Sequence, residues 1–170
     1  NYLPSPKDKG KIVSKNAQSQ QDEEVEPDES APLTALVFKT TADPYVGKLT
    51  YLRVYSGVIK SDSSVWNATK KRAERIGQLY MIRGKSQEPV PQIGAGDIGA
   101  VAKLAETGTG DTLSSKDRPL VLAPIEFPKP TLSVSVQPKT KADLDKLGSS
   151  LTRLTEEDPT LAVRKDMDTA

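Results

Sequence analysis

The sequence contains no cysteine and no histidine among its 170 residues. The absence of cysteine excludes a thiolate nucleophile, a disulfide framework and a thiolate zinc site. The absence of histidine excludes a serine–histidine triad and removes the commonest general base near neutral pH. A chain without cysteine suits a reducing compartment, and we expect it in the cytoplasm. Enzyme classes that depend on either side chain are therefore excluded.

Long apolar segments and a strong net charge are also missing. No run approaches the roughly 20 apolar residues that cross a bilayer, so we expect no membrane partner. The 24 basic and 23 acidic residues leave a net charge of +1. Any footprint for a nucleic acid must therefore be a local basic cluster.

Residues 7–30 contain few large apolar side chains and pass from lysine-rich to glutamine-rich to acidic sequence. Such a segment cannot bury enough surface to offset the conformational entropy that it loses on folding. We predict a flexible linker, with a regulatory acidic arm as the alternative.

Short strand patterns, separated by turn residues, fill residues 31–127. They lie at 36–41, 49–55, 75–82 and 97–104. Several short strands at this spacing predict a mainly β fold, either a closed antiparallel barrel or a sandwich, and we favour the barrel. Trp66, Tyr51 and Tyr55 are expected to pack in it rather than to stack on bases.

A second unit is predicted over residues 130–170. Residues 131–136 alternate like a strand, and Thr140 with Asp143 forms a variant capping box before a helix. Pro159 ends that helix, and 161–165 has a strand pattern again. The helix carries one apolar stripe: Leu144, Leu147, Leu151 and Leu154. This incomplete β-α-β unit is expected to need the barrel, or further chain, in order to fold.

Residues Gly94–Gly99 (GAGDIG) match the dinucleotide fingerprint G-x-G-x-x-G. That fingerprint requires a strand before it and a helix after it. Here prolines 89 and 91 interrupt the preceding segment, and Thr107–Gly110 would end any helix. We interpret GAGDIG as a glycine-rich turn of the barrel.

Gly47-Lys48 invites comparison with a phosphate-binding P-loop. That motif needs glycine at position 42 and serine or threonine at position 49, where this chain has Ala42 and Leu49. An enzymatic reading would rest only on GAGDIG and on carboxylates such as Glu156–Asp158. We therefore predict no catalytic, cofactor-binding or metal-binding residue in this chain.

Four blocks of the sequence together resemble the elongation factor G family. They are Tyr2–Pro6, Ala35–Gly57, Ala95–Ile98 with Thr109–Leu113, and Glu126–Val163. The resemblance implies three parts. Residues 1–30 would be the tail of the GTPase domain and the linker, 31–127 the barrel of domain II, and 130–170 the start of domain III, which is ferredoxin-like.

The resemblance also implies a function for the parent protein, which would bind GTP and magnesium and drive tRNA–mRNA movement on the ribosome. The chain carries none of the family's GTPase motifs, so we expect no GTP hydrolysis from it. Main-line factors usually carry a His-Ala-Asn-type loop where this chain has Leu79–Pro91 (LYMIRGKSQEPVP). This departure suggests a paralogous, elongation-factor-G-like branch.

Two sets of site residues follow from the resemblance. The family's second domain leans on small-subunit ribosomal RNA through barrel loops, where basic side chains would meet phosphates. The expected contacts are Lys70, Lys71, Arg72, Arg75, Arg83 and Lys85, with an ordinary solvated hairpin as the alternative reading. We expect the protein to be a monomer. A rival hypothesis makes the barrel an intramolecular scaffold in a paralogue that recycles or protects ribosomes. It would contact the switch region of its own GTPase domain through Asp43, Tyr45 and Lys48.

Overall fold

The computed structural model describes residues 3–43 and 46–164, which divide into two units between residues 125 and 126. The described residues form thirteen strands and one helix. Their bounds are β1 Ile12–Asn16, β2 Asp22–Val25, β3 Thr34–Asp43, β4 Gly47–Ser56, β5 Val58–Lys60, β6 Ser64–Asn67, β7 Arg72–Arg75, β8 Leu79–Arg83, β9 Ser86–Val90, β10 Gln92–Gly94, β11 Ile98–Ala102, β12 Thr112–Ser114, β13 Leu120–Leu122 and α1 Lys141–Glu157.

Antiparallel pairing joins the strands of the first unit into three sheets. The largest has eight strands in the order β7-β6-β12-β3-β4-β11-β8-β9, and β5 pairs separately with β10. Its centre is the β3–β4 hairpin, whose strands have ten residues each. The mainly β, antiparallel fold is therefore confirmed, while closure of the ladder into a barrel stays a prediction.

The core of the first unit is aliphatic. Along β4, Leu52 and Val54 are fully buried, whereas Tyr51, Arg53 and Tyr55 between and beside them are partly exposed. The core cluster consists of Ala35, Val37, Leu52, Val54, Ile59, Val65, Ile76, Leu79, Ile93, Val101, Leu104 and Leu113. It contains no aromatic side chain. Trp66, Tyr51 and Tyr55 are partly buried residues of β6 and β4, and their packing in the barrel rather than stacking on bases stays a prediction. They lie half-buried on the other face of their strands because side chains alternate between faces.

The flexible linker predicted at residues 7–30 is also corrected by the structure. Strands β1 and β2 lie within it, pair with each other, and join β13 in a three-stranded sheet. Val25 is buried, and Arg118 donates to Glu23 over 2.8 Å. The composition argument failed because the partners that order this segment lie far along the chain. The first unit therefore includes residues well before 31.

The second unit consists of α1 and irregular chain within its described residues, 126–164. The helix is confirmed, with the Thr140 hydroxyl donating to the Asp143 carboxylate over 2.7 Å. The strands predicted at 131–136 and 161–165 are absent from the described positions; Lys165 lies outside them. A strand needs a neighbour for its backbone hydrogen bonds, and none of the described strands pairs with these segments. No helix in the described part of the chain is long and apolar enough to cross a membrane.

The GAGDIG segment joins two strands. Strand β10 ends at Gly94 and β11 begins at Ile98, so no helix follows the glycines. Gly96 has φ of +98°, a conformation that glycine adopts without steric cost. The interpretation as a turn is confirmed.

Candidate nucleic-acid interface

The six basic residues predicted to contact RNA belong to two different hairpins. Lys70 and Lys71 lie in the turn between β6 and β7, and Arg72 and Arg75 lie in β7 itself. The other two, Arg83 and Lys85, belong to the β8–β9 hairpin. Since β7 and β9 are the two ends of the strand order, the sequence cluster is divided into two groups.

The tip of the β6–β7 hairpin, residues 68–71, has a fixed backbone. The Asn67 side-chain oxygen accepts a hydrogen bond from the Lys70 amide over 2.9 Å. Lys71 has φ of +57°, a region that non-glycine residues seldom occupy. The turn therefore presents two consecutive lysines in defined and different backbone conformations.

Lys70 and Arg72 are bound to the loop that follows β11. The Lys70 ammonium lies 3.1 Å from the Asp111 carboxylate and donates to the Glu106 carbonyl over 2.5 Å. The Arg72 guanidinium lies 2.9 Å from the Glu106 carboxylate. Both cations thus have partners within the chain; the Asp111 partner of Lys70 is buried, whereas the Arg72–Glu106 pair is largely solvated.

Lys71, Arg75 and Lys85 are different. All three are exposed, and no hydrogen bond or ion pair joins their side chains to another of the described residues. Arg83 is intermediate, since its guanidinium lies 3.7 Å from the Glu88 carboxylate and both side chains are largely solvated. A pair of this kind contributes little stability and separates readily.

Two buried carboxylates lie beneath the β6–β7 hairpin, and the sequence analysis missed both. Glu74 accepts hydrogen bonds from the Ala105 amide (3.0 Å), the Glu106 amide (3.1 Å) and the Thr107 hydroxyl (2.8 Å). Asp111 accepts from the Asn67 side-chain amide (3.0 Å) and the Gly108 amide (2.9 Å). The threonine–glycine–aspartate turn before β12 was the available signal, because Asp commonly accepts nearby backbone amides in turns.

The turn predicted to contact the GTPase domain joins β3 to β4. Asp43 accepts from the Val46 amide over 2.9 Å and from the Gln87 side chain over 2.7 Å. The Lys48 carbonyl accepts from the Lys103 amide over 2.8 Å. Tyr45 lies outside the described residues. The turn is therefore attached to β9 at its start and to the end of β11 at its finish.

This arrangement can present positive charge, and the described residues offer no set of acidic side chains arranged to hold a metal ion. Solvent-exposed cations on tight hairpins suit the contact of phosphates, which is largely independent of sequence.

Comparison with known proteins identifies the class as translation factors. The family model described as Elongation factor G domain 2 matches residues 32–116, and the one described as Elongation Factor G, domain III matches residues 127–170. The chain therefore belongs to the elongation factor G family, as its sequence blocks predicted. The break between the two matches agrees with the division of the structure between residues 125 and 126.

Two relatives support this assignment. The chain is 46% identical over 99% of its length to elongation factor G of Salinibacter ruber (strain DSM 13855 / M31), of which it spans 24%. A crystal structure of a protein from Thermus thermophilus matches with a TM-score of 0.66 and 31% identity. That match covers 82% of this chain and 21% of the other. The chain thus corresponds to about a quarter of the length of such proteins.

Proposed function

We propose that this chain is the ribosome-docking part of a translational GTPase, which acts as a monomer in the cytoplasm. The parent protein binds GTP and magnesium and promotes translocation. The part described here hydrolyses no GTP, docks on small-subunit ribosomal RNA and relays the state of the GTPase domain to later domains. The family assignment supports the general role, and the departure at Leu79–Pro91 favours a paralogous branch.

The observation that carries the proposal is the exposure of Lys71, Arg75 and Lys85 on two hairpins of the domain II unit. A cation that already has an internal partner must break that pair before it can bind a phosphate. A cation without one can displace counterions from RNA directly, and each such contact makes binding more sensitive to salt. We therefore assign the RNA contact chiefly to these three side chains, with Arg72 and Arg83, whose ion pairs are largely solvated, as weaker contacts.

The test is co-sedimentation of the 170-residue chain with small ribosomal subunits over a series of salt concentrations. Lys71→Ala and Arg75→Ala should each weaken binding and lower the slope of log K against log salt by about 1, because each removes one phosphate contact. Lys15→Ala is the matched control, since Lys15 is an exposed lysine on the three-stranded sheet. Equal behaviour of all three variants would contradict the proposal.

The scaffold role remains the second candidate, supported by the attachment of the Asp43 carboxylate to Gln87. A turn fixed in this way can form a preorganised contact with a neighbouring domain at low entropic cost. Binding of the chain to a separately supplied GTPase domain, together with no binding to small subunits, would favour this role. Asp43→Ala should weaken that binding by several-fold, whereas Lys71→Ala should leave it unchanged.

A further inference from the structure

We propose that Glu74 and Asp111 are positioning residues that clamp the 103–111 loop to the β6–β7 hairpin. In this arrangement Lys70 is part of the clamp, and Lys71 and Arg75 are the cations that the hairpin offers to RNA. This assignment rests on the proposed function. It gives different roles to Lys70 and Lys71, which are adjacent and have the same side chain.

The hairpin needs such a clamp because β7 is an edge strand. It pairs only with β6, through four residue pairs, and its other side has no strand neighbour among the described strands of the sheet. Strand β6 is joined to β12 through Trp66 and Asn67, so the hairpin is anchored to the sheet on its inner side only. Without further contacts, β7 and the basic tip at residues 68–71 would be less well ordered, and binding would have to order them at an entropic cost.

Glu74 supplies the first half of the clamp. It projects from β7 and is 6% exposed, although it carries a carboxyl group. Its two oxygens accept the amides of Ala105 and Glu106 and the hydroxyl of Thr107. A buried carboxylate is tolerated when its oxygens are saturated by donors, as they are here. The strand that carries Arg75 is therefore bonded directly to the loop.

Asp111 supplies the second half from the other side of the loop. It is also 6% exposed, and it joins the Asn67 side chain at the end of β6 to the Gly108 amide. Asn67 in turn donates to the Thr107 hydroxyl over 3.1 Å, so the two carboxylates belong to one connected network. Such networks are fully satisfied only in one arrangement, and this makes the loop and hairpin a single unit.

Lys70 closes the network with its charge. Its ammonium contacts the Asp111 carboxylate and the Glu106 carbonyl, and the Asn67 side chain holds its backbone amide. All three contacts lie within the clamp. Lys71, the next residue, has no such side-chain contact within the described residues. The lysine that stabilises the tip and the lysine that faces solvent are thus adjacent, and only Lys71 has a positive φ.

Two independent measurements on the 170-residue chain test the inference. Amide hydrogen exchange, without ribosomes, reports the clamp at Ala105, Glu106 and Gly108. The salt slope of binding to small ribosomal subunits reports the number of phosphate contacts. The Val54 amide, which donates to the Asp97 carbonyl in the packed sheet, serves as the reference for global folding.

The two lysines should give opposite results. Lys70→Ala should speed exchange at Gly108 about two- to fivefold, as expected for the loss of a partly exposed ion pair, and leave the salt slope unchanged. Lys71→Ala should leave exchange unchanged and lower the slope by about 1. A fall in slope for Lys70→Ala equal to that for Lys71→Ala, with no change at Gly108, would overturn the assignment.

The carboxylates are tested by substitutions that keep their shape. Glu74→Gln should speed exchange at Ala105 and Glu106 about tenfold or more, because one acceptor oxygen is replaced by a donor. Thr107→Val should act in the same direction at these amides, and Thr107→Ser should restore the wild-type rate, since it retains the hydroxyl. If exchange at the Val54 amide also becomes faster, the variant is globally destabilised. The inference is then decided by Lys70→Ala, which removes a partly exposed ion pair.

The outcomes separate the clamp from the docking role. Unchanged exchange in Glu74→Gln and in Lys70→Ala would overturn the clamp, whether or not the chain binds ribosomes. Absence of binding by the unmodified chain would overturn the proposed docking instead, while the exchange data still decide whether the clamp exists.

Discussion

Both units contain segments in which apolar and polar residues alternate, but the apolar residues are buried only in the first unit. In β4, Leu52 and Val54 are completely buried, whereas Leu132 and Val134 in the second unit are 80% and 75% exposed. The first pair belongs to a strand with neighbours on both sides, β3 and β11. The second pair has no strand neighbour among the described residues. Alternation therefore reports which face could be buried, and the partner strands decide whether a strand forms at all.

The helix of the second unit sharpens the contrast. Helix α1 spans Lys141–Glu157 although Leu144 and Leu154 remain about half exposed. A helix closes its hydrogen bonds between residues four apart, so it needs no distant partner to satisfy its backbone. A strand has no such internal bonds and depends on its neighbours for them.

The largest expected difference between the units is in the cost of truncating a leucine. Leu52→Ala should lower the free energy of unfolding of the first unit by about 2–5 kcal/mol, because it leaves a cavity in a packed core. Leu144→Ala is the matched change on α1 in the second unit. It should lower the free energy of unfolding by less than about 0.5 kcal/mol. Urea denaturation followed by circular dichroism measures both. Similar costs for the two variants would show that Leu144 is buried in solution.

A smaller effect is expected at a turn that only the tertiary structure explains. Gly57 has φ of +71°, and a Cβ atom there would lie 2.7 Å from the carbonyl oxygen of Ala31 and the backbone of Leu33. Gly57→Ala should cost about 1–3 kcal/mol of stability, since both strain and a backbone clash oppose it. In Gly47→Ala, where φ is +83° and the described residues beyond its chain neighbours place no atom within 4 Å, only strain of about 1 kcal/mol is expected. Thermal unfolding of the two variants separates these terms, and equal losses would contradict the clash.

The smallest expected effect concerns pH. Hydrogen bonds from Asn16 and then from Arg118 lower the pKa of Glu23 below its ordinary value of 4.5. Because the pKa of Glu23 is lower in the folded state than in the unfolded state, its ionised form stabilises the folded state at pH values above the unfolded-state pKa. This contribution is lost as the pH falls through the folded-state pKa. Glu23→Gln should therefore cost about 0.2–1 kcal/mol at pH 7 and nothing well below pH 4, as measured by urea denaturation at a series of pH values.

The control for the pH experiment lies in the second unit. The pKa of Asp158 is also lowered, but by hydrogen bonds from Thr160, only two residues away. Asp158→Asn should therefore leave the pH dependence of unfolding of the first unit unchanged. If Asp158→Asn changes the pH dependence of unfolding as much as Glu23→Gln does, the contribution of Glu23 does not depend on its long-range partners.

The sequence predicts most of what depends on local pattern. The hairpin of β3 and β4, the turn at GAGDIG and the helix after Thr140 all follow from it, as does the family. The six cations of the candidate interface are also visible in the sequence, since charge depends on residue type alone. Their division into bound and available side chains is not, because Lys70 meets Asp111 only when the loop after β11 lies against the β6–β7 hairpin.

The two main errors have the same origin. Residues 7–30 resemble a linker because they contain little apolar surface, yet β1 within them pairs with β13, which lies far along the chain. Residues 131–136 resemble a strand because their alternation is regular, yet no described strand pairs with them. In both cases the missing information is the identity of the neighbour.

By itself the sequence determined the excluded chemistries, the family, the turns and the helix, because each depends on residue type or on spacing within a few positions. The tertiary structure alone decided which strands exist, which side chains form the core and which lysine of an adjacent pair is already bound. Backbone hydrogen bonds between strands and ion pairs between loops join residues that are distant in the chain, and only the folded molecule specifies those distances.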